Sequence, residues 1–97
     1  MRTRFEWDSS KAAANLRKHG VSFETASRVF ADPNALFEQD RIVDGESRWQ
    51  AIGAVDGVMM IMAAHTVRER EGIETIRIIS ARRADRQERR RYEKENG

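Results

Sequence analysis

An acid, a histidine and several arginines recur around three apolar segments of the chain, and these residue types can do chemistry on phosphates. Glu46 and Arg48 open the first segment, His65 closes the apolar run of the second, and Arg68 lies just beyond it. A carboxylate or an imidazole can transfer protons, and guanidinium groups can neutralise phosphate charge. Phosphodiester cleavage through the 2′-hydroxyl of RNA needs a base, an acid and cations, so this inventory suits such a reaction.

Three further arginines, Arg77, Arg82 and Arg83, lie within or just past the third segment. Arg77 stands among apolar neighbours on its face, so it must leave the core, pair with an acid or point into a site. Antiparallel pairing of the segments would bring Glu46 close to Arg68 at one sheet edge. We therefore expect the polar residues of the three segments to share one pocket.

Several of these residues also have a purely structural explanation. His65 at a strand end is commonly a half-buried structural histidine, and Glu46 can simply pair with Arg48 or Arg68. Trp49 is either a core residue or a side chain that stacks on a nucleobase. His19, which precedes Gly20, fits the end of a helix as well as it fits a base.

The sequence lacks the residues that other common kinds of active site require. The chain has no cysteine, which excludes disulfides, zinc–thiolate sites and cysteine nucleophiles. The two histidines, His19 and His65, lie far apart and without paired carboxylates at ligand spacing, so no metal site is expected. No glycine-rich phosphate loop and no nucleophile elbow occurs. We expect no cofactor.

The 97 residues fit one domain spanning 1–97, and 39% of them are hydrophobic, enough for a modest core. The net charge of +2 is uneven, because residues 77–97 carry eight Lys/Arg against four Asp/Glu. A basic end attracts polyanions and acidic proteins. The polar start of the chain and the short longest apolar run, Val58–Ala64, indicate a cytoplasmic protein without a membrane segment.

Periodicity predicts the elements that position these residues. We expect a strand over Arg4–Trp7, a helix over Lys11–Lys18 capped by Ser9 or Ser10 and ended by Gly20, and a helix over Phe23–Phe30 capped by Ser22. Ala35–Glu38 is a candidate short extended piece and Asp40–Gly45 a polar loop. Strands follow over Arg48–Val55, Val58–Val67 and Thr75–Arg82, with turns at Asp56-Gly57 and Arg68–Gly72. The last helix runs from Asp85, in a capping box with Glu88, to about Lys94.

This order predicts an α+β fold in which a short N-terminal strand, two helices, an antiparallel three-strand meander and a C-terminal helix follow one another. Helices are expected to cover one face of the sheet.

Segments along nearly the whole chain resemble the BrnT toxin family. The two most specific segments are Lys18-His19-Gly20-Val21-Ser22-Phe23 and the run from Ile76 to Ala84, Ile-Arg-Ile-Ile-Ser-Ala-Arg-Arg-Ala. Supporting matches are Phe5-Glu6-Trp7-Asp8, Lys11, Asn15, Val29-Phe30, Glu46, Arg48-Trp49, Ile52-Gly53, His65-Thr66-Val67-Arg68, Glu88-Arg89 and Tyr92.

The resemblance implies a RelE-like fold and a metal-independent ribonuclease that depresses translation. It implies a BrnA-like antitoxin with a ribbon-helix-helix DNA-binding domain, through which alone the toxin would reach operator DNA. It suggests Arg68, Arg77 and Arg82 as cations for the phosphate and transition state, and either Glu46 or His65 as the proton-transfer group. The remaining candidates are residues for RNA binding: Lys11, Lys18, His19, Arg48, Trp49 and Arg83.

Two other functions compete with the ribonuclease. A non-catalytic module that binds nucleic acid or an acidic protein would show the same basic patch, with salt-dependent binding and no cleavage. A RelE-like fold can also poison a topoisomerase, since function resides in the site and not in the fold. The set of arginines with a histidine and a glutamate favours RNA.

Overall fold

A computed structural model describes residues 2–97 and shows the expected α+β class, built on one five-stranded sheet. The strands are β1 (Arg2–Glu6), β2 (Leu36–Val43), β3 (Glu46–Val55), β4 (Met59–Arg70) and β5 (Ile73–Arg83). The helices are α1 (Ser9–His19), α2 (Phe23–Ser27), a 3₁₀ helix (Arg28–Ala31) and α3 (Arg86–Asn96). No helix within residues 2–97 is long and apolar enough to cross a membrane.

The sheet has the order β1-β5-β4-β3-β2. Strand β1 pairs parallel to β5, and the four later strands form antiparallel neighbours. The antiparallel meander predicted from the sequence is confirmed for β3, β4 and β5.

Three tight turns connect the antiparallel strands, and each places two successive residues at positive φ. They are Asp44-Gly45 (51° and 78°), Asp56-Gly57 (56° and 67°) and Glu71-Gly72 (54° and 78°). Asp44-Gly45 and Glu71-Gly72 are two-residue hairpin turns, which match the right-handed twist of the strands and favour glycine at the second position. The β3–β4 connection has three residues, Asp56 to Val58. The Asp56-Gly57 turn is confirmed. The turn expected over Arg68–Gly72 is shorter, because β4 continues to Arg70.

The extended piece expected over Ala35–Glu38 lies in a strand from Leu36 onward, but the prediction of a polar loop over Asp40–Gly45 is wrong. Leu36–Val43 is a full strand, β2, which pairs antiparallel with β3 from Leu36 opposite Ile52 to Val43 opposite Glu46. The meander therefore has four strands where three were expected. The residues expected to form a loop are part of a strand for two reasons. Asp44-Gly45 forms a tight hairpin turn, and β3 supplies the backbone hydrogen-bond partners.

The helix ends follow the predicted capping chemistry with two corrections. Gly20 ends α1 in the left-handed conformation, Ser22 caps α2, and Asp85 with Glu88 forms the capping box of α3. The cap of α1 is Asp8, whose carboxylate accepts from the backbone N–H of Lys11, and not Ser9 or Ser10. The second helix is α-helical only to Ser27 and tightens into the 3₁₀ helix.

The helices α1 and α2 and the 3₁₀ helix pack on one face of the sheet, where the main core lies. Phe23, Ala26 and Val29 from these helices are fully buried against Ala51 and Ala63 of the sheet. At Gly53 a Cβ atom would lie 2.9 Å from Val29 Cγ1, so only glycine admits this close approach of the 3₁₀ helix.

Helix α3 lies on the opposite face, which corrects the prediction that helices cover only one face. Ile52 and Met62 pair across β3 and β4 and are 0% and 5% exposed, although their side chains point away from the core of α1 and α2. Glu88 of α3 binds Arg82, which shares that face with Met62. At this end of the sheet the molecule therefore has three layers.

Side chains complete two strand edges that have no neighbouring strand. Strand β1 ends at Glu6, opposite Arg77, so the outer edge of β5 is unpaired at Ala81. The side-chain amide of Asn15 donates to the Ala81 oxygen (2.8 Å) and to the Val21 oxygen (2.9 Å), and its own oxygen accepts from the Ala81 N–H (3.1 Å). Asn15 thereby fixes α1 and the α1–α2 turn to the sheet.

Asp32 completes the outer edge of β3 at Ala54, a position that β2 does not reach because it begins at Leu36, opposite Ile52. Its carboxylate accepts from the Ala54 N–H (2.8 Å), the Tyr92 hydroxyl (2.7 Å) and the Asn34 N–H (2.9 Å). Burial raises the pKa of Asp32, but these three hydrogen bonds outweigh it, so the pKa lies below the ordinary value of 3.8. The carboxylate thus links β3 to α3 through Tyr92.

We predict that Asn15→Ala destabilises the protein by about 3 kcal/mol, because it leaves buried backbone groups at Ala81 and Val21 without partners. Urea unfolding followed by circular dichroism measures the change. Asn34→Ala is the matched control, since the Asn34 side chain is exposed, and it should shift stability by less than about 0.5 kcal/mol. Equal effects of the two substitutions would contradict the role given to Asn15.

The lowered pKa of Asp32 predicts a specific pH dependence. A carboxyl with a depressed folded-state pKa stabilises the fold above its unfolded value and loses this contribution as the pH falls through the folded value. Asp32→Asn should therefore be less stable than the parent by about 1–2 kcal/mol at pH 7. The difference should shrink below pH 3.8, the ordinary value for aspartate. A difference that stays constant from pH 7 to pH 3, by urea titration at each pH, would show that the charge of Asp32 is not involved.

Candidate active site

The face of the sheet that carries α3 also carries four of the predicted arginines, and we name Arg48, Arg68, Arg77 and Arg82 the arginine face. Strand register places them on one face of the sheet. Arg77 pairs with Thr66, two residues before Arg68, and Arg82 pairs with Met62, so their partners alternate along β4 and share a face. A register shift opposite Ala64 and His65 keeps Arg77 and Arg82 on the same side although they are five residues apart on β5. Glu46 projects there too, two residues before Arg48 on β3.

Two arginines of this face form exposed ion pairs. Arg68 Nε donates to Glu46 Oε2 and Arg77 Nη1 donates to Glu6 Oε2, both at 2.9 Å. The hydrogen bond and charge of Glu46 raise the pKa of Arg68, which keeps its guanidinium cationic. The expected proximity of Glu46 and Arg68 is confirmed. Of the three possibilities expected for Arg77, two are found: its side chain lies outside the core, and it pairs with an acid, Glu6.

Arg82 is held differently, by a carboxylate of α3. Its Nη1 and Nη2 atoms donate to the two oxygens of Glu88, at 2.8 and 3.0 Å. The Glu88 side chain is only 5% exposed and also accepts from the backbone N–H of Asp85, completing the capping box. Arg82 is therefore as much an anchor of α3 as a member of the arginine face.

Arg48 has an unsatisfied donor. Its Nε atom is buried and has no hydrogen-bond partner within residues 2–97. Buried donors are normally paired, so the buried Nε of Arg48 is an exception. Arg48 forms no ion pair within residues 2–97, so its charge on the arginine face is not balanced by a carboxylate.

A polar groove of about 750 Å³ adjoins Arg68 at the end of the sheet. Its wall includes two arginines that the sequence analysis did not single out, Arg4 and Arg70. Arg4 reaches this place because β1 pairs in parallel with β5, opposite Thr75. The alternation of Arg2, Arg4 and Glu6 with Thr3 and Phe5 is the one signal in the sequence that marked a polar face on β1.

The structure does not bring His65 to the arginine face, so the expectation of one shared pocket is wrong. His65 pairs with Trp49 and projects toward α1 and α2, because residues 65 and 68 are three apart on one strand and face opposite ways. It is 2% exposed, packs edge-on against Phe30 at 4.8 Å between ring centroids, and lies 3.1 Å from the Ala63 oxygen through Nδ1. Burial lowers the pKa of His65 below 6.5, which favours a neutral ring.

The other predicted residues lie apart from the arginine face. Trp49 shares a cavity with His65. Lys11, Lys18 and His19 are exposed on α1, and Arg83 pairs with Ile61 on the face that α1 and α2 cover. Within residues 2–97 no three His, Asp or Glu side chains come together as a metal site would require. Five of the eleven predicted site residues therefore share one face of the sheet: Glu46, Arg48, Arg68, Arg77 and Arg82.

A sheet face rich in arginine, with carboxylates paired to three of its four guanidinium groups, is the kind of site expected of a protein that acts on a polyanion. A family model described as the ribonuclease toxin, BrnT, of type II toxin–antitoxin systems matches residues 7–88. The chain belongs to this family of ribonuclease toxins.

The fold is also that of a solved relative. The 1.1 Å crystal structure of the Brucella abortus ribonuclease toxin, BrnT, superposes with a TM-score of 0.65 over 89% of this chain and 100% of that one, at 24% sequence identity. No curated protein matches the chain.

We predict that the two kinds of arginine differ in stability. Arg82→Ala leaves the buried Glu88 unpaired and should cost about 2 kcal/mol. Arg68→Ala breaks an exposed pair and should cost less than about 1 kcal/mol. Thermal and urea unfolding of both variants test this, with Arg28→Ala, which breaks the exposed pair with Asp56, as the control. An Arg82 variant as stable as the Arg68 variant would contradict the anchoring of α3.

Proposed function

We propose that the chain is an endoribonuclease toxin that cleaves RNA through the substrate's own 2′-hydroxyl, with the scissile phosphate held on the arginine face. The observation that carries the proposal is the hydrogen bond of Glu46 to Arg68 on a face shared with Arg48 and Arg77. A proton-accepting group thereby stands beside the cations that a phosphate needs. Family membership supports RNA as the substrate class.

In the proposed reaction, Glu46 accepts the proton of the 2′-hydroxyl, and the 2′-oxygen attacks phosphorus. The bond from phosphorus to the 5′-oxygen breaks, solvent protonates the leaving oxygen, and a 2′,3′-cyclic phosphate and a 5′-hydroxyl result. Arg68 and Arg77 neutralise the charge that develops on the phosphate oxygens, and the positive charge of Arg48 on the same face adds to theirs. No step requires a metal ion.

Glu46 is a better base than His65 for geometric reasons. The Glu46 side chain is one-third exposed and touches Arg68, whereas His65 is buried on the opposite face under Phe30. We assign Arg82 a supporting role, since Glu88 holds it. Lys11, Lys18, His19 and Arg83 lie away from the scissile phosphate and can hold only more distant parts of an RNA.

A protein antitoxin is the partner that the family implies. We propose that it is of the ribbon-helix-helix type, that it neutralises the toxin, and that it alone contacts operator DNA. The proposed place of action is the cytoplasm, where the RNA is. Co-purification with the product of the adjacent gene, followed by RNA digestion with and without that product, tests the pairing.

Glu46→Gln should reduce RNA cleavage about 100-fold without unfolding the protein, because the amide keeps the shape but cannot accept the proton. Arg77→Ala should reduce the rate by a similar factor through lost charge stabilisation. The measurement is digestion of a defined RNA by the purified chain, with analysis of the product ends and with EDTA in a parallel reaction.

Arg28→Ala, which removes an equally exposed arginine outside the arginine face, is the matched control and should cleave normally. A Glu46→Gln protein with full activity would remove Glu46 as the base. Loss of cleavage in EDTA would overturn the metal-free mechanism. RNA binding without cleavage by the parent chain would favour the non-catalytic module.

A further inference from the structure

The other face of the sheet has a cavity of its own. It measures about 370 Å³ and lies where α1 and α2 leave the ends of β3, β4 and β5 uncovered. We name it the aromatic groove, and its lining residues are Thr3, Phe30, Phe37, Trp49, His65, Val67, Glu74 and Ile76.

The walls of the aromatic groove are largely apolar and open to solvent. Phe37 is 49% exposed and Val67 39%, and Phe5, which stacks on Phe30 at 5.4 Å between centroids, is 37% exposed. Contiguous apolar side chains at a concave surface are typical of binding sites and are costly to leave in water. The fold itself gives these side chains no cover within residues 2–97.

The rim of the aromatic groove is acidic. Glu74 lines the aromatic groove, and Glu69 is its cross-strand partner, although Glu69 also lines the polar groove beside Arg68. Neither forms an ion pair within residues 2–97, whereas Glu6 and Glu46 on the other face are each bound to an arginine. Like charges in opposed strand positions are destabilising, and a cationic partner would relieve that repulsion.

We propose that the aromatic groove is the docking site for the cognate antitoxin, which inserts an arginine or lysine beside Glu74 and large apolar side chains against Phe37 and Val67. The long cation would lie along the aromatic walls with its charge at the carboxylates, a position that ring faces also favour. The volume admits about one or two such side chains, the size of an interface anchor.

The charge of the rim decides between a protein and RNA as the occupant. Aromatic walls can stack a nucleobase, but each base brings a phosphate, and Glu74 and Glu69 would repel it. The arginine face, where the scissile phosphate is proposed to bind, lies on the opposite side of the sheet. Toxin and antitoxin would therefore meet on one face of the sheet while RNA binds the other. The inference depends on family membership and not on the proposed cleavage chemistry.

The test is the affinity of the purified chain for the antitoxin encoded by the adjacent gene, measured by isothermal titration calorimetry. Glu74→Lys should weaken binding at least about tenfold, because it places a cation opposite the incoming one. It should not destabilise the fold, since it turns the Glu69–Glu74 repulsion into an attraction. Phe37→Ala should weaken binding without changing any charge.

Glu95→Lys, the same change at an exposed position on α3, is the matched control and should bind normally. RNA cleavage by Glu74→Lys without antitoxin should stay within about twofold of the parent protein, since the aromatic groove is remote from the arginine face. A photo-crosslinking residue at Phe37 should capture the antitoxin, and one at Val58, at the other end of the sheet, should not.

Unchanged antitoxin affinity in folded Glu74→Lys and Phe37→Ala would overturn the proposal. Loss of RNA binding in Phe37→Ala, with antitoxin affinity retained, would show that the aromatic groove takes RNA and would also overturn the proposal. If the parent chain proves unable to cleave RNA, the affinity and crosslinking results still decide the docking site.

Discussion

The alternation of side chains along β3, β4 and β5 is the constraint on which the rest of the molecule depends. Because successive residues face opposite ways, the register of the three strands sorts the charged residues into two sets. Arg68 and Arg77 go to the face that carries α3, and His65 and Glu74 go to the face that carries α1 and α2. A shift of one residue in register would mix the sets and bury arginines in the core. The tight turns between the strands fix that register.

The two helical layers are attached to this sheet by side chains that stand in for missing strands. Asn15 completes the edge of β5 and holds α1, while Asp32 completes the edge of β3 and, through Tyr92, holds α3. Asn15 and Asp32 bind backbone N–H and C=O groups of β5 and β3, which are free because β1 and β2 do not extend far enough to pair with them. The contacts therefore depend on where β1 and β2 end and not on the side chains of those strands. The short outer strands thus define where helices can attach.

Much of this fold could be predicted from local chemistry, and the failures have physical reasons. Gly20, Ser22 and the Asp85–Glu88 capping box act within a few residues, so the sequence alone identified them. Asp44-Gly45 carries the same turn signal as Asp56-Gly57, but the charged residues Asp40, Arg41, Glu46 and Arg48 around it favour a loop over two paired strands. The separation of His65 from Arg68 was also predictable, since residues three apart on a strand face opposite ways. The contact of Glu6 with Arg77, 71 residues apart, was not, because it needs the parallel pairing of β1 with β5.

In the proposed RNA site, the ion pairs of the arginine face hold the cations in place before a substrate binds. Arg68 and Arg77 are 76% and 46% exposed, so their bonds to glutamate contribute little to stability and exchange readily for bonds to phosphate. They nevertheless hold the guanidinium groups in place, which reduces the entropy lost when an anion binds. Arg82 does not share this property, because Glu88 is buried and would lose its only cation. The arginines of this face therefore have two roles. Those paired with an exposed glutamate remain available to an anion, and Arg82, paired with a buried glutamate, anchors α3.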